Sequence, residues 1–208
     1  MKVYFHLNLG GFSNCYLVVN EETNEAIIID PGQVTEEVIE QIESVPYKLA
    51  GVLITHNHGS HVNGLKTLRK IYSPVILAAD WEVAGSNTTV INGDGEIEIG
   101  GMTVQYMAVP GHTADSIVYK IGNLIFTGDV LMAGTIGNTS SSYSEVILKS
   151  NIEQKILSQT EDALVLPGHG PPESVESSRM FNVDLEKKEN KWNDSRYRLA
   201  DSRSIARF

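Results

Sequence analysis

Five of the six histidines in this chain fall in short loops, each following a run of apolar, strand-forming residues. Thr55-His56-Asn57-His58-Gly59-Ser60-His61 comes after residues 51–54, Pro110-Gly111-His112-Thr113 after 102–109, and Pro167-Gly168-His169-Gly170 after 163–166. Side chains on loops that leave strand ends can converge at one edge of a sheet. Glycine and proline in each loop permit the tight turns this requires. The chain is thereby held to a sheet-based fold that gathers imidazoles in one place.

The remaining pattern supplies the sheets. Apolar runs rich in valine and isoleucine predict strands over residues 15–19, 26–29, 49–54, 75–78, 102–109, 117–121, 124–126 and 163–166. Helical spacing appears over 35–43 (Val38, Ile39, Ile42), 62–72 (Leu65, Leu68, Ile71) and 144–158 (Val146, Ile147, Ile152, Ile156), with Ser144 and Glu145 opening the last. The class is α/β. The opening is strand-rich, and Asp94, Gly95, Gly100 and Gly101 punctuate adjacent strands as a hairpin would. Mixed sheets are expected, two of them between helical layers.

With 208 residues, 41% of them hydrophobic, one substantial core is expected. Residues 1–181 read as one domain and 182–208 as a charged tail carrying Lys187, Lys188, Lys191, Arg196, Arg198, Arg203 and Arg207. Leu185, Trp192 and Leu199 recur every seven residues, the spacing of a helix docked on the body or on a second copy in a homodimer. A formal charge of −10 works against a nucleic-acid partner. No run of about 18 apolar residues suggests a membrane span, and the opening Met1-Lys2-Val3-Tyr4-Phe5-His6 does not read as a secretory signal. A soluble, cytoplasmic protein is expected. The single cysteine, Cys15, lies in an apolar strand and reads as a small packed side chain. His6 is expected to be solvated or packed, and Trp81 and Trp192 to be core residues.

Phe126-Thr127-Gly128-Asp129 sets a carboxylate at the end of an apolar strand, where it is costly unless a cation or hydrogen-bond donors meet it. Neutral imidazoles with one carboxylate form a set suited to zinc, iron or manganese. The absence of thiolates argues against a structural zinc knuckle and for an open site.

These motifs, together with Asn14-Cys15-Tyr16-Leu17-Val18 and Ile29-Asp30-Pro31-Gly32, resemble the metallo-β-lactamase superfamily over nearly the whole body. The chain looks most like the short bacterial glyoxalase II-like hydrolases, through Gly128-Asp129, Ala133-Gly134-Thr135-Ile136-Gly137 and Asn182. The resemblance implies a four-layer αβ/βα sandwich with metals at one edge. It implies that His56, His58 and His112 hold a first ion, that His61 and His169 face a second, and that Asp129 bridges them. Asp30 would sit behind the site. One or two zinc ions are implied, with iron or manganese as alternatives.

The chain departs from the family pattern at a cluster of positions. Ser60 stands where T-H-x-H-x-D-H has an aspartate that binds the second metal and orients the attacking hydroxide. Two divalent ions with one carboxylate leave about +3 rather than about +2, so the second site is expected to be weaker. Asn138 and Ser140 replace the arginine and aspartate of G-R-T-D in the loop expected to face substrate, and Asp115 appears after the His112 loop, where it could return some negative charge. The leading expectation is a metal-dependent hydrolase of a small thioester or ester, with Asp129 and Ser60 at the catalytic position. The alternatives are a mononuclear iron enzyme like the persulfide dioxygenases, using His56, His112 and Asp129, and a non-catalytic metal-binding protein.

Overall fold

Strand side chains alternate between faces, and where both faces are apolar the sheet must be covered on both sides. A computed structural model describes residues 1–186 and shows this covering twice over. The first half of the chain forms β1 (Lys2–Asn8), β2 (Ser13–Asn20), β3 (Glu25–Ile29), α1 (Glu36–Glu43), β4 (Lys48–Leu53), the single turn α2 (Gly59–Val62), α3 (Leu65–Ile71), β5 (Val75–Ala78), the hairpin β6 (Glu82–Val83) and β7 (Ser86–Asn87), and β8 (Thr89–Val90). The second half forms β9 (Gly95–Ile99), β10 (Met102–Ala108), β11 (Ile117–Ile121), β12 (Leu124–Gly128), the small hairpin β13 (Leu131–Met132) and β14 (Thr135–Ile136), α4 (Ser142–Asn151), β15 (Leu164–Pro167), β16 (Glu173–Ser174) and α5 (Val175–Phe181).

Two mixed six-stranded sheets result, in the orders β1-β2-β3-β4-β5-β8 and β16-β15-β12-β11-β10-β9. In the first, Cys15, Leu17, Val19, Ala26 and Ile28 turn toward Val38, Ile42, Leu65 and Leu68 of α1 and α3. Their neighbours Tyr16, Val18, Ile27 and Ile29 turn inward to meet Tyr119, Phe126 and Leu166 of the second sheet. On the far side Val118, Ile125 and Val165 pack under Leu148, Ile152 and Ile156. The layers are helix, sheet, sheet and helix, an αβ/βα sandwich. No helix among the described residues is long and apolar enough to cross a membrane.

The structure departs from the sequence reading where local chemistry overrides periodicity. The helix expected over 62–72 is broken at Gly64, whose N–H donates to the Pro31 carbonyl at 2.8 Å, leaving α2 to carry His61 and α3 to pack. The helix expected from Ser144 begins at Ser142, because the Ser141 hydroxyl accepts from the Ser144 N–H at 3.1 Å. It ends in a wider π-helical turn, Ile152–Ile156. Helix α5 was not legible, since it buries only Val175 and Ser178. Trp81 is 66% exposed rather than packed. Residues 182–185, the start of the expected tail, are bonded to the body: Asn182 Nδ2 donates to the Thr135 carbonyl at 2.9 Å, Val183 N to Gly134 at 3.1 Å, and Asp184 accepts from Ile136 N at 3.0 Å. Trp192 and Leu199 lie outside the described residues.

Tyr119 ties the two sheets together: fully buried on β11, it donates to the Ile54 carbonyl at 2.9 Å, at the end of β4 where the first histidine loop begins. Tyr119→Phe leaves that acceptor without its donor and is expected to cost about 1–3 kcal/mol. Urea unfolding should show a lower midpoint with an unchanged slope.

Candidate metal centre

The site is built outward from Asp30, which follows β3 with a left-handed φ of 50°. This conformation is uncommon for a residue with a side chain. It is 2% exposed, and its carboxylate accepts from Thr55 N at 2.8 Å, from the Thr55 hydroxyl at 2.6 Å and from His61 Nδ1 at 3.0 Å. One buried carboxylate thus fixes both ends of the His56–His61 loop. Asp115 holds the middle, accepting from Asn57 N at 2.8 Å. It is absent from the described groupings that could share an ion; it braces the loop, and its charge acts on His58, favouring that ring's protonated form. Gly32 permits the loop's close approach: a Cβ there would lie 1.6 Å from the Ser60 carbonyl oxygen. That oxygen instead accepts from the Ser13 hydroxyl at 2.6 Å and from Asn8 Nδ2 at 3.2 Å.

The partners of the outer ring nitrogens fix the tautomers. His112 Nδ1 lies 2.8 Å from the Asn138 carbonyl and His169 Nδ1 lies 2.8 Å from the Phe12 carbonyl. A carbonyl can only accept, so both Nδ1 atoms carry hydrogen. The Thr55 hydroxyl gives its proton to Asp30, so its oxygen accepts from His56 Nδ1 at 3.0 Å. His61 Nδ1 donates to Asp30. The Nε2 atoms of all four rings therefore turn inward, and all four face Asp129. Its Oδ2 lies 3.6 Å from His56, 3.7 Å from His112 and 3.6 Å from His169, and its Oδ1 lies 3.4 Å from His61. His58 enters through Nδ1, 2.8 Å from His56 Nε2 and 3.2 Å from His112 Nε2.

Lone pairs aimed at a carboxylate repel one another unless a proton or a cation lies between them. Two buried atoms, His61 Nε2 and Asp129 Oδ1, have no hydrogen-bond partner among the described residues, an arrangement that costs about 1–3 kcal/mol per atom unless something fills it. A divalent ion fits this donor set. Among the described residues, His56, His58, His112 and Asp129 form one grouping with ligand atoms within 4.8 Å of one another, and His61, Asp129 and His169 form another. A third, Asp30 with His56 and His61, is already satisfied by the hydrogen bonds to Asp30.

The local field sorts the protons. Burial, reinforced by His61, holds the His56 imidazole down at about 4. Burial, and then His112, also depress His58. Burial opposes a charge on His61 too, but the carboxylates of Asp30 and Asp129 outweigh it and hold this ring up at about 10. Burial likewise opposes ionisation of Asp129, but His61 and the surrounding imidazoles overcome it and bring this carboxyl down to about 2. Without metal, a proton on His61 takes the place of a cation. Elsewhere, Cys15 is buried and its thiol is pushed up by that burial, away from reactivity. His6 is half-buried, with no hydrogen-bond partner for Nε2 among the described residues.

The structure brings His56, His58, His61, His112, His169 and Asp129 together, and sets Asp30 and Asp115 behind them. Ser60 lies in α2 immediately before His61, with its Cβ 2.7 Å from where a side chain on Gly11 would begin. Asn138 serves through its carbonyl, and Ser140 is exposed on the adjoining loop. Sequence reasoning missed Thr55, the Phe12 carbonyl, and Asn14 and Tyr16. The last two hold the His169 loop by donating to the Pro167 carbonyl at 2.9 and 2.7 Å. A polar Asn14 inside an apolar strand was the available signal; a backbone carbonyl leaves none.

Two outcomes follow from this geometry. Zinc added at pH 7 to metal-free protein should release a proton from His61, read by calorimetry in buffers of different ionisation enthalpy. Zinc bound with no net proton release would contradict the assignment. Asp30→Asn, which cannot accept from all three donors, should lower metal affinity about 10–100-fold in competition with a chromogenic chelator.

Comparison with known proteins agrees with the geometry. The family model described as the metallo-beta-lactamase superfamily matches residues 8–181. The chain is 32% identical over 157 residues to a hydroxyacylglutathione hydrolase of Chromohalobacter salexigens, covering 74% of this chain and 60% of that relative's length. It is 31% identical over 187 residues to the probable metallo-hydrolase YqgX of Bacillus subtilis, covering 78% of this chain and 87% of that one. Among solved structures, the BLEG-1 B3 metallo-beta-lactamase superposes with a TM-score of 0.79 at 25% identity, over 89% of this chain and 100% of that one. With the family model spanning nearly all of the described residues, and the fold and clustered histidines in accord with it, the chain belongs to the metallo-β-lactamase superfamily.

Proposed function

We propose that this protein is a metal-dependent hydrolase of a small thioester or ester. The observation that carries the reading is the convergence of four imidazole Nε2 atoms, each fixed by a hydrogen bond at Nδ1, on the Asp129 carboxylate. His56, His58 and His112 would hold one ion, His61 and His169 a second, with Asp129 between them. When bound, a divalent metal supplies a Lewis acid that makes water nucleophilic near neutral pH and steadies the oxyanion formed by attack on a carbonyl.

The chain's own residues set the limits of the reaction. Asp129, held at about 2, stays ionised and cannot act as a general acid at neutral pH. Ser60 is neutral and supplies no base. An amide nitrogen must be protonated as it leaves, whereas a thiolate needs little help, so this site favours thioesters. Water adds across the acyl carbon–sulfur bond, giving an acid and a thiol. The name of the hydroxyacylglutathione hydrolase relative supports a thioester, although the chain spans only 60% of that protein, so glutathione itself is not part of the proposal.

A second reading rests on His56 Nε2, His112 Nε2 and Asp129 Oδ2, two histidines and a carboxylate of the kind that holds one non-haem iron in oxygenases. Elemental analysis of protein purified without chelator or polyhistidine tag separates the readings. Zinc or manganese with thioester turnover is the expected result. Iron with sulfur-dependent oxygen uptake would favour the second reading, and no metal even after supplementation would overturn both.

The neutral Ser60 leaves the second ion less compensated, so calorimetric titration with zinc should resolve two steps, the later one weaker. Ser60→Asp should draw the steps together by strengthening the later one. Equal steps in the native protein would count against the role given to Ser60.

A further inference from the structure

Beside His112 the loop 110–114 and the start of α4 enclose a cleft of about 260 Å³. Pro110, Gly111 and Thr113 form one wall, and Tyr143, Ser144 and Ile147 the other. Its rear is closed by close packing: Gly111, at φ 144°, has no Cβ, and one placed there would sit 2.5 Å from the Leu148 Cβ.

Apart from the Tyr143 hydroxyl, the side-chain polar atoms of this cleft are already engaged. Thr113 Oγ1 pairs with Ser116 Oγ at 2.7 Å, Ser144 Oγ with Ser141 Oγ at 2.9 Å, and His112 Nδ1 with the Asn138 carbonyl at 2.8 Å. No lysine or arginine lines it among the described residues. What remains for a ligand is the proline ring, the Ile147 side chain and the face of Tyr143, which stands 76% exposed at the mouth, an apolar surface left in water. A cavity of about 150 Å³ is enough to enclose benzene, so this cleft admits a group of about six carbons. His112 belongs both to the cleft wall and to the first metal grouping, so an arm lying in the cleft leads to the reacting centre.

We infer that the cleft binds an uncharged hydrocarbon arm, aliphatic or aryl and about six carbons long, of a thioester or ester substrate, and that Tyr143 and Ile147 set the preferred length. The inference rests on the hydrolase reading for its substrate, but the cleft can be tested without turnover. The arm can come from the acyl group or from the leaving thiol, and the two sources are separable by experiment.

The deciding measurement is calorimetric binding of acetate, butyrate and hexanoate to the zinc-loaded full chain. Affinity should rise about three- to fourfold per added methylene. Ile147→Trp, which fills the cleft, and Tyr143→Ala, at an exposed position that does not endanger folding, should each flatten this gradient with metal content unchanged. Equal affinities across the native series, or a gradient untouched by both variants, overturns the cleft whatever the activity. Thioesters lengthened separately on the acyl and thiol sides then identify the source, since KM should fall with length in one series only. A binding gradient without turnover of any thioester upholds the cleft and removes the hydrolase reading instead.

Discussion

The Asp30 carboxylate is the interaction on which the rest of the site depends. Buried carboxylates are unfavourable unless met by donors or charge, and this one meets Thr55 twice and His61 once. Because Thr55 passes its proton to Asp30, it can accept from His56, so a single anion sets the ring orientation of two histidines on opposite sides of the loop. A neutral amide in its place would offer one acceptor where three donors converge.

From this anchor the electrostatics follow. Asp30 and Asp129 flank His61, which lies between them with Nδ1 at 3.0 Å from one and Nε2 at 3.4 Å from the other. The two carboxylates share one ring, and whatever occupies the inner side of that ring, proton or metal, answers to both. The same arrangement explains how His56, a few residues away, resists protonation while His61 favours it: burial acts on both, but only His61 has a carboxylate at each nitrogen.

Much of this was legible in the sequence because it is written in side chains with strong local signatures. The three histidine loops, the strand preceding each, and Asp129 at a strand end required only periodicity and the cost of burying charge. The covering helices Glu36–Glu43 and Leu65–Ile71 were visible from their apolar faces, but the break at Gly64 was not, since the carbonyl that receives its N–H belongs to Pro31, distant in sequence. For the same reason the carbonyls of Phe12 and Asn138 were invisible: any residue supplies one, and only the fold decides which is presented. The sequence leaves Asp115 either as an ordinary carboxylate in an exposed turn or as a source of negative charge near the site; the structure shows it accepting from the amide of Asn57, with its charge also favouring the protonated form of His58. Sequence shows that a carboxylate is near, but not which partner it takes.

The placement of these candidate donors carries a consequence for how the two halves of the chain are joined. His56, His58 and His61 extend from the first sheet, while His112, Asp129 and His169 extend from the second, so the centre straddles the seam between them. Contacts so distant along the chain form only after the intervening loops have closed. The complete set of donors exists only once both sheets have met face to face. A metal held by donors from both sheets would act as a clasp across the assembled sandwich, tying one half of the chain to the other.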